Sequence, residues 1–190
     1  MSTVSFTQMR DGTRADYDLL AANERRYVAE LPDRLLAALA DLDHGLGGYP
    51  ISRLQHSLQS ATRAERDGAD IDWVVAALVH DIGDTLAPEN HSQLAAAVLR
   101  PYVREEVTWV VQMHGVFQQH YFGKHTGQDP DAREAYRGHR WFESCERFCE
   151  RWDQASFDPG YPTVSLSHFE PMVREVFARP SFTIGDFTST

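Results

Sequence analysis

Residues 71–84 read IDWVVAALVHDIGD. From Ile71 to Ile82 apolar residues fall on nearly every side of a helix instead of along one stripe, which predicts a central, buried helix. His80 and Asp81 end this segment, the most apolar in the chain. An adjacent imidazole and carboxylate are costly to bury unless something pairs with them. Outward from this segment, the helix expected over 51–66 carries His56, and the one expected over 91–100 opens with His91. The next, over 103–116, has His114 in line with Val107, Val110 and Val111. Asp153 follows Cys149 by four residues on the inward side of a helix that fills the second half of 132–155, where Phe142, Cys145, Cys149 and Trp152 share a face.

The remaining chain also reads as helix. Residues 15–42 are rich in Leu and Ala, with Leu31, Leu35, Leu39 and Leu42 nearly in line, and Pro32 restarts the helix there. Gly45, Gly47, Gly48 and Pro50 mark a break, Asp67 and Gly68 close the helix before residue 71, and a loop is expected over 123–131. A last amphipathic helix is expected over 168–178, and residues 1–13 look loose. Alternation with a period of two is scarce, so the fold class is all-α. A length of 190 residues fits one domain spanning 1–190, with a helical extension over 15–43 and a core over about 49–155.

Asp and Glu number 28 against 18 Lys and Arg, a formal net charge of −10. This balance argues against a nucleic-acid or anionic-membrane surface, since both need basic stripes. No run of apolar residues is long enough for a membrane span. The start of the chain lacks the apolar stretch of a signal peptide, and two cysteines cannot build a disulfide framework, so a reducing cytoplasmic compartment is expected.

Taken singly, each candidate has an ordinary reading. His56 lies off the stripe of Ile51, Leu54 and Leu58 and could face solvent; His91 could begin a helix in water. His114 could be a core imidazole bonded to a carbonyl, and Asp153 a helix-end carboxylate. Together the order His, His-Asp, His, His, Asp points to metal. Six ligands exceed the four of a structural zinc site. Four imidazoles and two carboxylates suit two ions, with Asp81 central enough to bridge them. That donor set favours iron, manganese, cobalt or zinc over magnesium or calcium.

The strings HSLQSATRA (56–64) and AALVHDIGD (76–84), followed by His91, His114 and Asp153, resemble the His-Asp (HD) superfamily. More narrowly they resemble its mixed-valent diiron oxygenases, nearer the branch that cleaves phosphonates than the myo-inositol oxygenase branch. The resemblance implies a helical core of about five helices. It implies one iron held by His56, His80, Asp81 and Asp153, and a second held by Asp81, His91 and His114. The implied cofactor is two iron ions (Fe2+/Fe3+), and the implied partners are dioxygen and a small 1-hydroxyalkylphosphonate. 1-Hydroxy-2-(trimethylammonio)ethylphosphonate is one candidate; its products would be phosphate and a carboxylate such as glycine betaine. The alternatives are an HD-type metal-dependent phosphohydrolase acting on a nucleotide or other phosphate ester, and a non-catalytic HD-like binding domain.

The sequence departs from the pattern of the amine-accepting relatives at two positions. Asp84 in His80-Asp81-Ile82-Gly83-Asp84 replaces a histidine, and Gln118 replaces a lysine four residues after the last metal-binding histidine. Asp84 is either a loop residue or a pocket acid that favours a cationic substrate. Lys124, the only lysine, could reach a phosphonate from the loop after His114; Arg137, His139, Arg140 and Arg151 are further anion candidates. Phe117, Tyr121 and Phe122 in GVFQQHYFGKH (115–125) are core packing or an aromatic wall for a quaternary ammonium. Tyr49 lies in the region where relatives use a tyrosine to occupy an iron position, although no glutamate follows it. The expected substrate-binding set is therefore Tyr49, Asp84, Gln118, Tyr121 and Lys124.

Overall fold

The computed structural model describes residues 2–181, and the fold is all-α, with no strand among the described residues. Eight helices are described: α1 (Arg14–Ala29), α2 (Leu31–Asp41), α3 (Arg53–Arg66), α4 (Ile71–Val79), α5 (His91–Leu99), α6 (Glu105–Thr126), α7 (Phe142–Phe148) and α8 (Leu166–Phe177). No helix among the described residues is long and apolar enough to cross a membrane.

Helix α4 is the hub. Every residue from Asp72 to Val79 is buried, and each fully buried Val or Leu contributes about 1.5–3 kcal/mol relative to exposure. Asp70 fixes where α4 begins, its side chain accepting from the Trp73 amide at 3.2 Å. Helix α3 packs along α4, α5 along α6, and α8 covers α2 and α4. Helix α3 is buried on both faces. Leu58 and Ala61 supply one side, while His56, Gln59, Ser60 and Thr62 are buried on the rest. The small polar groups cost little there because they are satisfied: Ser60 donates to the His56 carbonyl at 3.0 Å and Thr62 to the Leu58 carbonyl at 2.7 Å.

Pro32 sits in the first turn of α2, as the restart at that residue requires. Leu35, Leu39 and Leu42 are buried below it. Residues 2–13 are irregular apart from a 3-10 turn at Met9–Asp11, and Asp16 ties them down, accepting from the backbone amides of Ser5 and Thr13 at 2.7 and 2.9 Å.

One boundary is corrected by a full ten residues. The helix expected to end near Val116 continues as α6 to Thr126, and the loop expected from residue 123 starts at Gly127. Gly115 does not stop it, because a glycine inside a packed helix only weakens it. Gly127 does, by taking a left-handed φ of 78° at the C-terminus. The added turns carry Gln118, Tyr121 and Phe122 along the site.

Candidate metal centre

Five successive elements each deliver one part of the site. His56 comes from α3, His80 and Asp81 from the turn that closes α4, His91 from the first residue of α5 and His114 from the middle of α6. Asp153 ends a π-helical turn, Cys149–Asp153, that continues α7. Such a widened turn rotates the last residues relative to an α-helix and often marks a functional position. All of these side chains are buried except His91, which is about a quarter exposed.

The ring orientations carry chemical information. The Nδ1 atoms of His56, His80 and His114 lie 2.9, 2.8 and 2.6 Å from the carbonyls of Ser156, Ala77 and Val111. The Nδ1 of His91 lies 3.3 Å from the Pro88 carbonyl. A carbonyl can only accept, so each Nδ1 carries the proton and each Nε2 presents a lone pair. Those Nε2 atoms face one another at 3.1 Å (His56 and His80) and 3.3 Å (His91 and His114). Facing lone pairs repel unless a cation lies between them.

Asp81 joins the two pairs. Its Oδ2 lies 3.3 and 3.1 Å from the Nε2 atoms of His56 and His80, and its Oδ1 lies 3.4 Å from those of both His91 and His114. Asp153 Oδ1 adds to the first pair, 3.3 Å from His56 and 3.6 Å from His80, and its other oxygen is buried without a partner. A cation about 2.1 Å from each donor places neighbouring donors about 3.0–3.5 Å apart, so the spacing fits. His56, His80 and Asp81 form one group able to hold an ion, and Asp81, His91 and His114 another. The orphaned oxygen and the opposed lone pairs both call for positive charge.

The same carboxylates draw positive charge to these rings, and an Nε2 that carries a proton in place of a metal ion donates to them. Burial alone would push the His80 imidazole down, but the charges of Asp81 and Asp153 override it and hold it well above the ordinary value. His56 is likewise raised against its burial by Asp153 and Asp81. Burial would raise the Asp81 carboxyl, yet the His80 charge and hydrogen bonds from His114, His56 and His80 hold it well below the carboxylate range. Asp153 is lowered by the same neighbours.

A cleft of about 1090 Å3 opens onto this cluster. Tyr49, Asp84, Gln118 and Tyr121 line it, as the sequence suggested. Lys124 does not: it is exposed on α6 and turned away from the face that carries His114, Gln118 and Phe122. The other basic candidates are also placed elsewhere. Arg137 pairs with Glu134 at 2.6 Å, Arg140 with Glu105 at 3.3 Å and Arg151 with Asp67 at 2.9 Å, while His139 stacks on Trp109. Phe117 is fully buried in the core, so the aromatic wall loses one member and keeps Tyr121 and Phe122.

Two residues absent from the sequence-based set complete the site. Arg53, three residues before His56 on the same helix, donates from Nε to Asp84 at 2.7 Å and from its terminal nitrogen to Asp81. It is the only arginine or lysine lining the cleft among the described residues. Asp84 thus lines the cleft as a paired acid that shares the Arg53 guanidinium with Asp81. Phe157 stacks on the His56 ring with centroids 4.4 Å apart, and Tyr49 stacks on Phe157 at 5.0 Å. The i, i+3 spacing from His56 could have flagged Arg53; nothing local flags Phe157.

The profile of the HD domain family matches residues 53–153. The chain belongs to the HD domain family. Two curated relatives narrow the likeness. A hydroxymethylphosphonate dioxygenase of Gimesia maris is 29% identical over 103 residues, which cover 46% of this chain and 51% of the relative. A glycine-betaine-forming 1-hydroxy-2-(trimethylamino)ethylphosphonate dioxygenase of Leisingera caerulea is 32% identical over 78 residues, 35% of this chain and 40% of the relative. The HD chain thus spans about half the length of these relatives or less. The resemblance to phosphonate-cleaving HD oxygenases is borne out at the level of family.

Gly83 governs where His91 sits in this HD centre. A Cβ on Gly83 would lie 2.7 Å from both the Cα and the carbonyl oxygen of His91, and backbone atoms at a helix start cannot yield. Gly83→Ala is expected to displace His91 and to lower metal content while the helical circular dichroism is kept. Unchanged metal content would show that His91 is not needed there.

Proposed function

We propose that this HD protein is a non-haem diiron oxygenase that cleaves the C–P bond of a small 1-hydroxyalkylphosphonate. Dioxygen is consumed, and phosphate and a carboxylate are released. The observation that carries this reading is the paired donor arrangement, two sets of Nε2 lone pairs sharing the two oxygens of Asp81. His56, His80, Asp153 and Asp81 Oδ2 would hold one iron; His91, His114 and Asp81 Oδ1 would hold the other. Two iron ions would supply the redox chemistry that breaks a strong C–H bond and an unactivated C–P bond, which side-chain acid–base groups cannot do.

The protein's own groups bind and position. Carbonyls of Ser156, Ala77, Pro88 and Val111 lock the four rings in one tautomer. Arg53 holds Asp81 and Asp84 together at the floor of the cleft and brings positive charge toward an anionic head group. Phe157, seated on His56, closes one side of the site to water with Tyr49 above it. The names of the two relatives support a phosphonate substrate.

The test is chemical. Protein loaded aerobically is expected to hold about two irons per chain and to release phosphate from hydroxymethylphosphonate in step with dioxygen consumption. Equal phosphate release from a phosphate ester in anaerobic buffer would instead place the protein among HD hydrolases.

A further inference from the structure

The cleft is larger than the chemistry of C–P cleavage needs. At about 1090 Å3 it lies at the upper end of pockets that enclose drug-sized ligands, about 300–1000 Å3. Hydroxymethylphosphonate has only a handful of heavy atoms, so most of the space faces some other part of a ligand.

The character of that remaining wall is distinctive. Its polar side chains are mainly carboxamides, with Gln112, Gln118 and Gln119 along α6, Gln154 just after the π turn and Asn90 just before α5. Unmatched charge is scarce. Arg53 is shared between Asp84, at 2.7 Å, and Asp81, and Glu89, the one further carboxylate outside the metal donors among the described lining residues, is exposed on the rim. No carboxylate deep in the wall is therefore available to an ammonium group. Phe157 is stacked with both His56 and Tyr49, so it is not free to join Tyr121 and Phe122 in a cage for a quaternary amine. Besides the Asp153 oxygen, one further group among the described lining residues is unsatisfied: the Nε2 of Gln118 is buried with no hydrogen-bond partner. A buried donor of this kind needs an acceptor. Carboxamides both donate and accept, so a row of them matches hydroxyl and amide groups, which do the same.

Resting on the oxygenase reading, we infer that the substrate is a 1-hydroxyphosphonate with an uncharged tail bearing several hydroxyl or amide groups. Gln112, Gln118, Gln119 and Gln154 recognise that tail, and Arg53 with the metal centre takes the head. The tail sets specificity and takes no part in bond cleavage.

Three probes with the same head test this: hydroxymethylphosphonate, 1-hydroxy-2-(trimethylammonio)ethylphosphonate and 1,2,3-trihydroxypropylphosphonate. Dissociation constants are measured by calorimetry on the iron-loaded protein, alongside phosphate release. The trihydroxypropyl compound is expected to bind about ten-fold more tightly than either of the others, the weight of one or two net hydrogen bonds. The double variant Gln118→Leu, Gln119→Leu is expected to shrink that preference to about two-fold or less. Tightest binding of the trimethylammonio compound, or an unchanged preference in the double variant, overturns the inference. Preferred binding of the trihydroxypropyl compound with no phosphate released upholds tail recognition and overturns the oxygenase reading. Phosphate released with dioxygen uptake from hydroxymethylphosphonate, with no gain in affinity from the longer tail, does the reverse.

Discussion

Asp81→Ala is expected to lose at least one of the two ions proposed for this site and, on the oxygenase reading, to reduce phosphate release about a thousand-fold or more. Among the described residues, Asp81 is the only carboxylate whose two oxygens face both histidine pairs, Oδ2 at 3.1–3.3 Å from one and Oδ1 at 3.4 Å from the other. Removing it strips a donor from each set and leaves the guanidinium of Arg53 with Asp84 alone. Asp81→Asn is a milder case. Its single carbonyl oxygen can serve one set while its amide group opposes the other, so retention of about one ion is expected. Plasma mass spectrometry of the metal content is one readout. The other is thermal unfolding with and without chelator, because metal that binds only the folded chain raises its stability. Full metal content in the alanine variant would refute the bridging role.

The second large effect concerns folding. Arg53→Met is expected to destabilise the chain by about 3 kcal/mol, seen as a fall of about 6–12 °C in the unfolding midpoint for a protein of this size. The side chains of Arg53 and Asp84 are only 11% and 14% exposed, and Asp81 is buried beside them. Methionine fills the space of the aliphatic stem but leaves two carboxylates without their shared cation. Asp84→Asn is expected to cost much less, since Arg53 keeps Asp81 and the amide still accepts a hydrogen bond. Combining the two substitutions should therefore cost less than their sum. Additive effects in chemical denaturation would mean that Arg53 and Asp84 do not stabilise each other.

These two substitutions also mark how far the sequence can be read. The all-α class, the central position of α4 and the break at Pro32 follow from the order of apolar and helix-breaking residues, and the structure agrees. The set His56, His80, Asp81, His91, His114 and Asp153 is legible in the sequence because metal chemistry restricts the residue types that can take part, and all six converge in one cluster. Helix α6 runs ten residues beyond the end expected near Val116. The long-range packing that keeps those turns helical leaves no mark on a local window.

What the sequence determined, then, was the kind of elements and the kinds of donor atoms, both written in short-range pattern and residue chemistry. What only the tertiary structure decided was charge matching. Arg53 meets Asp81 and Asp84 across 28 and 31 residues of chain, while Lys124, adjacent in sequence to the site, turns away from it. Pattern along a chain fixes which face of a helix is buried, but whether a buried charge is free or already neutralised depends on partners that only the packing of distant segments brings within a few ångströms.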